Sequence, residues 1–149
     1  MKKILFVCIE NSNRSQMAEA FARLSLTLSP STNAQDKLGE GKIQVFSAGS
    51  NPSGVINPKA IEAMKEIGYD LTTHTSKSID DVLNSLPSGG QGWAAVITMG
   101  CGDECPYVSA KHREDWQIPQ PKDMDKNEFR KVRDEIEKKV KELFAKIEK

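Results

Sequence analysis

This chain carries no excess charge of either sign. Its 21 Lys and Arg residues balance 21 Asp and Glu, for a formal net charge of zero over 149 residues. A neutral chain lacks the electrostatic footprint of a protein that grips nucleic acid or an anionic membrane surface. No apolar run approaches the roughly 20 residues needed to cross a bilayer. The opening Met1-Lys2-Lys3 and its apolar run could suggest a secretory leader. The run is short and β-branched, ends in Cys8 and has no small-residue cleavage site, so it reads as a strand and the protein is expected in the cytoplasm. Cysteine is scarce: there are 3 in all. An odd number in a reducing compartment argues against a structural disulfide framework and for catalytic or redox thiols. Repeats and low-complexity tracts are absent as well. What remains is a length that suits one domain, residues 1–149, with a sizeable core.

Three apolar, β-rich runs stand out, at residues 3–8, 43–47 and 94–99. Helical patterns alternate with them. The first carries Met17, Phe21, Leu24 and Leu28 on one face. The second has Asn57 as N-cap and Pro58 in its first turn, then Ile61, Met64 and Ile67, with Gly68 as its stop. A short helix is expected over residues 79–86. The last helix starts at Asp125, where Glu128 completes a capping-box pattern. Its stripe of Phe129, Val132, Ile136, Val140, Leu143 and Ile147 falls on one face. Strands alternating with helices imply an α/β fold, a parallel sheet with right-handed crossovers. Residues 25–42, rich in Ser, Thr, Asn and Gly, read as a long surface loop, and residues 87–92 as a flexible linker.

The most informative stretch begins where the first apolar run ends. Cys8 is followed by five residues, Ile9, Glu10, Asn11, Ser12 and Asn13, before Arg14-Ser15 opens the first helix. A loop wrapped over a helix N-terminus turns successive backbone N–H groups inward, and these donors and the helix dipole favour an anion. Arg14 can grip two oxygens of a tetrahedral oxyanion with its planar fork. The same field favours the thiolate of Cys8, the nucleophilic form. Ser15 is placed to donate to the sulfur, and the Asn11 amide is suited to holding loop backbone. A buried, inert cysteine at a strand end would explain Cys8 but not the order of strand, cysteine, loop, Arg-Ser and helix.

A second cluster, Gly100-Cys101-Gly102-Asp103-Glu104-Cys105-Pro106, follows the third apolar run. Ligands of parallel sheets bind at the carboxyl ends of strands, so Cys8 and Cys101 are expected on one rim. Residues four apart in a helix or turn lie within the separation of roughly 4.4–6.8 Å that a disulfide needs. The flanking glycines let the backbone flex. Cys101 and Cys105 with His112, and His74 further off, could alternatively hold zinc, but structural zinc normally uses paired short-spaced ligands and only one such pair exists. No metal is expected.

Cys8-x5-Arg14-Ser15 resembles the signature of the low-molecular-weight protein tyrosine phosphatases. The longer string Asn11-Ser12-x-Arg14-Ser15-Gln16-Met17-Ala18-Glu19 is more similar to their sister branch, the thiol-dependent arsenate reductases. Ser47-Ala48-Gly49-Ser50, Ile61-Glu62-Ala63-Met64, Thr98-Met99-Gly100-Cys101-Gly102-Asp103, Glu114-Asp115-Trp116 and Val132-Arg133-Asp134 resemble that branch too. The resemblance implies a single four-stranded parallel sheet flanked by helices, with the fourth strand near residues 116–118 and residues 25–42 as an insertion. It implies that Cys8 attacks arsenate, Arg14 and the loop residues 9–13 bind it, and Ser15 tunes the thiolate. It also implies a relay. Cys101 attacks the Cys8 sulfur and arsenite leaves. Cys105 then takes over the disulfide, and thioredoxin, glutaredoxin with glutathione, or another low-molecular-weight thiol reduces it. No cofactor is implied beyond that external thiol, and no partner beyond arsenate and the reductant. The chain is expected to act as a monomer. Glu19 is expected to hydrogen-bond Asn11, or failing that to hold a monovalent cation beneath the loop.

Three positions depart from the family pattern. Asn13 replaces a frequent second loop cysteine. Glu10 stands where a small residue is common and is expected to point to solvent. Gln120-Pro121 replaces an Asp-Pro pair whose Asp is the general acid of the phosphatase branch; Gln cannot release a proton. Asp115, Asp123 and His112 are the candidate substitutes. A phosphatase gives Cys101 and Cys105 no role, and a non-enzymatic oxyanion- or redox-responsive binding protein is the third reading. His74 is expected to be a surface or hydrogen-bonding loop residue, and Trp116 a packing residue.

Overall fold

The structure, a computed structural model, describes residues 2–27, 43–86, 92–99, 108–119 and 124–147. Strand β1 (Lys2–Cys8) lies between β2 (Ile43–Gly49) and β3 (Trp93–Thr98), and β4 (Ala110–Asp115) forms the edge beyond β3. The order β2-β1-β3-β4 is parallel throughout. Helices α1 (Arg14–Thr27), α2 (Pro58–Lys65), α3 (Ile79–Asn84) and α4 (Lys126–Ile147) connect and cover the strands.

Alternation along β1 divides the core in two. Ile4, Phe6 and Cys8 face a large cluster with Met17 and Phe21 of α1, Met64 of α2, and Phe129, Val132, Ile136, Val140 and Leu143 of α4. Leu5 and Val7 face a smaller one with Ala48, Ile79, Val82, Trp93 and Val96. Burial on both faces is why β1 reads as a continuous apolar run. Each fully buried large side chain contributes about 1.5–3 kcal/mol relative to exposure.

The fourth strand is not at residues 116–118. It runs over Ala110–Asp115, where every described side chain is half-buried or exposed. Its charged alternation suits an edge strand, which must discourage further pairing. Trp116 still donates its backbone N–H to Thr98 O at 2.8 Å, but Ile118 N turns back to Trp116 O at 2.8 Å, and this tight three-residue turn ends the ladder.

Helix α1 continues through residues 25–27, so the expected loop starts later; residues 28–42, with Leu28, lie outside the described residues, as do 87–91. Asn57 caps α2 as expected, its side chain accepting from Lys59 N. The helix closes at Glu66, though, and Ile67 lies beyond the helical stripe, 40% exposed, before Gly68 turns at φ +88°. The short α3 stops at Asn84, and Ser78 and Asp81 form its capping box. Asp125 receives Glu128 N at 2.9 Å at the start of α4.

Candidate active site

The register puts Cys8, Thr98 and Asp115 near one rim, at the carboxyl ends of β1, β3 and β4. Cys8 is 2% exposed. The loop behind it is tied by its carbonyls. Cys8 O accepts from Ser50 N (3.1 Å), Ile9 O from Asn51 N (2.8 Å), Glu10 O from Ser53 N (3.0 Å) and Ser12 O from Asn57 N (3.1 Å). Ser76 Oγ also donates to Glu10 O, at 3.0 Å. A peptide whose carbonyl points out carries an N–H on the opposite side, so this lacing turns loop donors inward. Gly49 lets the strap approach: a Cβ there would sit 2.6 Å from Ile9 O.

At the sulfur, Asn11 N donates at 3.3 Å and Ser15 Oγ stands at 2.8 Å. The serine proton has a fixed direction. Lys77 N donates to Asn11 Oδ1 at 2.9 Å, which turns Asn11 Nδ2 toward Ser15 Oγ at 2.7 Å. The amide fills the accepting side of the hydroxyl and leaves its single proton for Cys8. Two donors, Asn11 N and Ser15 Oγ, therefore converge on the sulfur.

Arg14 is 3% exposed and anchored by Nη1 to Ile118 O at 2.9 Å. Its buried Nε has no hydrogen-bond partner among the described residues. Burial lowers the guanidinium from its usual value, against the attraction of Cys8 and Glu10. An orphaned donor beside a nucleophile is what an oxyanion site requires. Ile9 and Glu10 are half-buried; Asn11, Ser12 and Asn13 are buried in the loop. The charge of half-buried Glu10 raises Arg14 against the effect of burial.

Glu19 does not bond Asn11 as expected. Its carboxylate accepts from Ser47 Oγ at 2.5 Å and Arg23 Nε at 2.8 Å, with Lys77 Nζ at 3.7 Å and His74 Nδ1 at 3.6 Å. The Asn11 side chain is already committed to other partners, and β2 brings Ser47 to the carboxylate. Burial is the main cause lowering Lys77 and His74, with Glu19 opposing it in each case. His74 is a hydrogen-bonding residue, its side chain 5% exposed. Trp116 packs on Phe6 with centroids 5.8 Å apart and donates Nε1 to Glu114.

Cys101, Cys105, Gln120 and Asp123 lie outside the described residues. Of the candidate acids described, Asp115 is on the rim, where it accepts from Thr98 Oγ1 at 2.7 Å. His112 pairs in register with Ala95, three residues back along β4, about 10 Å from the rim; it bonds Glu114 Oε2 at 2.5 Å. Among the described residues no three His, Cys, Asp or Glu side chains converge to hold a metal. Sequence reading assigned no role in the site to the strap at residues 50–57, where it read Asn57 as a helix cap, or to Gln16. The strap's signal was the glycine closing Ser47-Ala48-Gly49.

The family model described as low molecular weight phosphotyrosine protein phosphatase matches residues 3–86 and 101–149. A glutaredoxin arsenate reductase of Synechocystis is 38% identical over 150 residues, 99% of both chains. An arsenate reductase of Staphylococcus aureus is 41% identical over 139 residues, 91% of this chain and 90% of that one. Among solved structures, an arsenate reductase in the phosphate binding state is similar at a TM-score of 0.73 and 37% identity, covering 99% of both chains. The thioredoxin-dependent arsenate reductase of Corynebacterium glutamicum is similar at 0.71 and 30% identity, covering 99% of this chain and 62% of that one.

Proposed function

This chain belongs to the low molecular weight phosphotyrosine protein phosphatase family, and from that premise we propose that it is an arsenate reductase working through the Cys8 thiolate. The observation that carries the chemistry is the meeting of three features at one rim. These are a sulfur bonded by Asn11 N and Ser15 Oγ, an Arg14 Nε awaiting a partner, and a loop laced outward by its carbonyls. The relatives named arsenate reductases supply the oxyanion.

Cys8 attacks arsenic, a sulfur–arsenic bond forms and one arsenate oxygen leaves as water after protonation. Cys101 then attacks the Cys8 sulfur. The sulfur–arsenic bond breaks with its electron pair passing to arsenic, which leaves as arsenite. Two thiols have become a disulfide, and arsenic has gained the two electrons. Cys105 attacks Cys101, frees Cys8 and leaves a Cys101–Cys105 disulfide, which an external dithiol reduces by exchange. Thioredoxin is the reductant we favour, with glutaredoxin and glutathione as the other. Asp115, on the rim, is the candidate donor for the departing oxygen in place of Gln120.

The scheme uses no cofactor. Lys77 Nζ, 3.7 Å from Glu19, supplies the positive charge that a monovalent cation would otherwise bring there. We place the protein in the cytoplasm as a monomer without nucleic-acid or membrane partners. Its neutral charge supports the lack of nucleic-acid and anionic-membrane partners; no helix among the described residues is long and apolar enough to cross a membrane.

The test is arsenate-dependent NADPH oxidation with thioredoxin and thioredoxin reductase, then with glutaredoxin and glutathione. Turnover with either, lost in Cys101→Ser, supports reductase and relay together. Absence of turnover with both, alongside hydrolysis of p-nitrophenyl phosphate, would replace the reading with a phosphatase.

A further inference from the structure

Gln16 is a buried polar side chain that the chemistry above leaves without a role. It lies in the first turn of α1, two residues past Arg14, and is fully buried. Its side chain runs back to the loop. The two protons of Nε2 serve three acceptors, Asn11 Oδ1 at 2.8 Å, Thr75 O at 2.9 Å and, sharing a proton, Asn11 O at 3.1 Å. Two of those acceptors are backbone carbonyls, which cannot donate, so the orientation of the amide is fixed. Its Oε1 therefore faces His74 Nδ1 at 2.9 Å, and that nitrogen carries the proton. His74 Nε2 in turn accepts from Tyr69 OH at 2.6 Å.

Asn11 is the one described non-glycine residue at positive φ, +52°. Left-handed backbone is costly for residues with a Cβ and persists where the surroundings over-determine it. That conformation aims Asn11 N at Cys8 Sγ, and the same residue's Nδ2 directs the Ser15 proton to the sulfur. Gln16 holds both ends of Asn11, its carbonyl and its side-chain oxygen, from one amide.

We propose that Gln16, braced by His74, is a positioning residue that clamps Asn11 in its left-handed conformation and through it holds the Cys8 thiolate. Gln16 does not touch the sulfur; it acts through Asn11. The proposal rests on Cys8 as the nucleophile of the function proposed above, but its test contains no arsenate.

In a Cys101→Ser/Cys105→Ser background Cys8 is the sole thiol. Its thiolate is read at 240 nm and pH 7 as the difference from the variant that also carries Cys8→Ser. Gln16→Met is expected to lower the ratio of thiolate to thiol about tenfold, what one hydrogen bond to a charged group is worth. Glycine adopts positive φ without a clamp. In an Asn11→Gly background the same Gln16→Met change is therefore expected to move the ratio less than about twofold. A residue that merely fills the core would cost the same in both backgrounds, and that result overturns the proposal. So does an unchanged ratio in Gln16→Met with Asn11 present. Should Gln16→Met fail to fold, Gln16→Leu removes the same donor without adding a charge and is read the same way. Failure of arsenate turnover in the wild type would end the functional reading without touching this result.

Discussion

Two polar networks in this molecule use similar bonds to different ends. Around Cys8 the network is buried: Asn11, Ser15, Gln16 and Arg14 are each 3% exposed or less, and four of their side-chain bonds run to backbone. At the seam between α2 and α4 the network lies at the surface. There Arg130 and Arg133 converge on Glu66, and Arg133 Nη1 also donates to Ala63 O at 2.8 Å. The bond from Arg130, the largest influence, holds Glu66 down at about 2, helped by a lesser bond from Arg133 and opposed by a cost of burial second only to the Arg130 bond. Water screens the half-exposed Arg130–Glu66 pair, so that bond is replaceable, while Arg133, 8% exposed, is anchored to backbone at Ala63 O. The loop network has no solvent to fall back on, and each lost partner leaves a buried polar group unsatisfied. Losses at the loop should therefore appear in chemistry and losses at the seam in acid stability.

Substitutions that sharpen the contrast can be ranked. Cys8→Ser removes the nucleophile and is expected to lower arsenate turnover on the order of 10⁶-fold, by analogy with loss of other catalytic nucleophiles, with an unchanged melting temperature; steady-state kinetics and calorimetry check it. Ser15→Ala takes away a bond to the thiolate, about 1.5–3 kcal/mol, and should slow the first arsenate-dependent thiol loss roughly 10- to 100-fold. Rapid-quench thiol assay reads that step. Gly49→Ala forces a Cβ to within 2.6 Å of Ile9 O. Overpacking of this kind costs about 1–3 kcal/mol, and because the strap must move off the loop, denaturant unfolding and oxyanion affinity should worsen together. Glu66→Gln is the mildest: turnover is expected to stay at the wild-type level.

The acid dependence follows from Glu66 and Glu114. Glu114 is also held at about 2, since bonds from His112, Trp116 and Lys146 outweigh the burial that alone would raise it. Both values lie below the ordinary 4.5. Folding therefore gains stability from each carboxylate above pH 4.5, and loses it as pH falls from there toward about 2. Glu66→Gln should flatten that part of the stability curve without altering turnover. A changed turnover would break the division between the two networks.

The fold was legible where one physical signal dominated. β1, buried on both faces, could be read from its apolar run, and α4 from a stripe of which the structure buries Phe129, Val132, Ile136, Val140 and Leu143. β4 was not legible, because Lys111, Arg113 and Asp115 carry the charge of an exposed edge rather than the apolar signal of a strand. The resemblance drew attention instead to Trp116 and Ile118, which are buried but lie past the ladder. Cys8, Arg14 and Ser15 could be placed from spacing alone, since a loop of five residues before a helix leaves few arrangements. Glu19 was misassigned because its partners Ser47 and Lys77 come from β2 and from the segment before α3, distant in sequence. Gln16 went unread for the same reason: it lies five residues past Asn11, but Thr75 and His74, which fix its amide, lie 59 and 58 residues away.

The most direct measurement is a count of free thiols and arsenite after one equivalent of arsenate is added to the reduced protein without any external reductant. The account predicts the loss of two thiols per chain, one arsenite released, and neither change in Cys8→Ser. Arsenate left unreduced with all three thiols intact would contradict it.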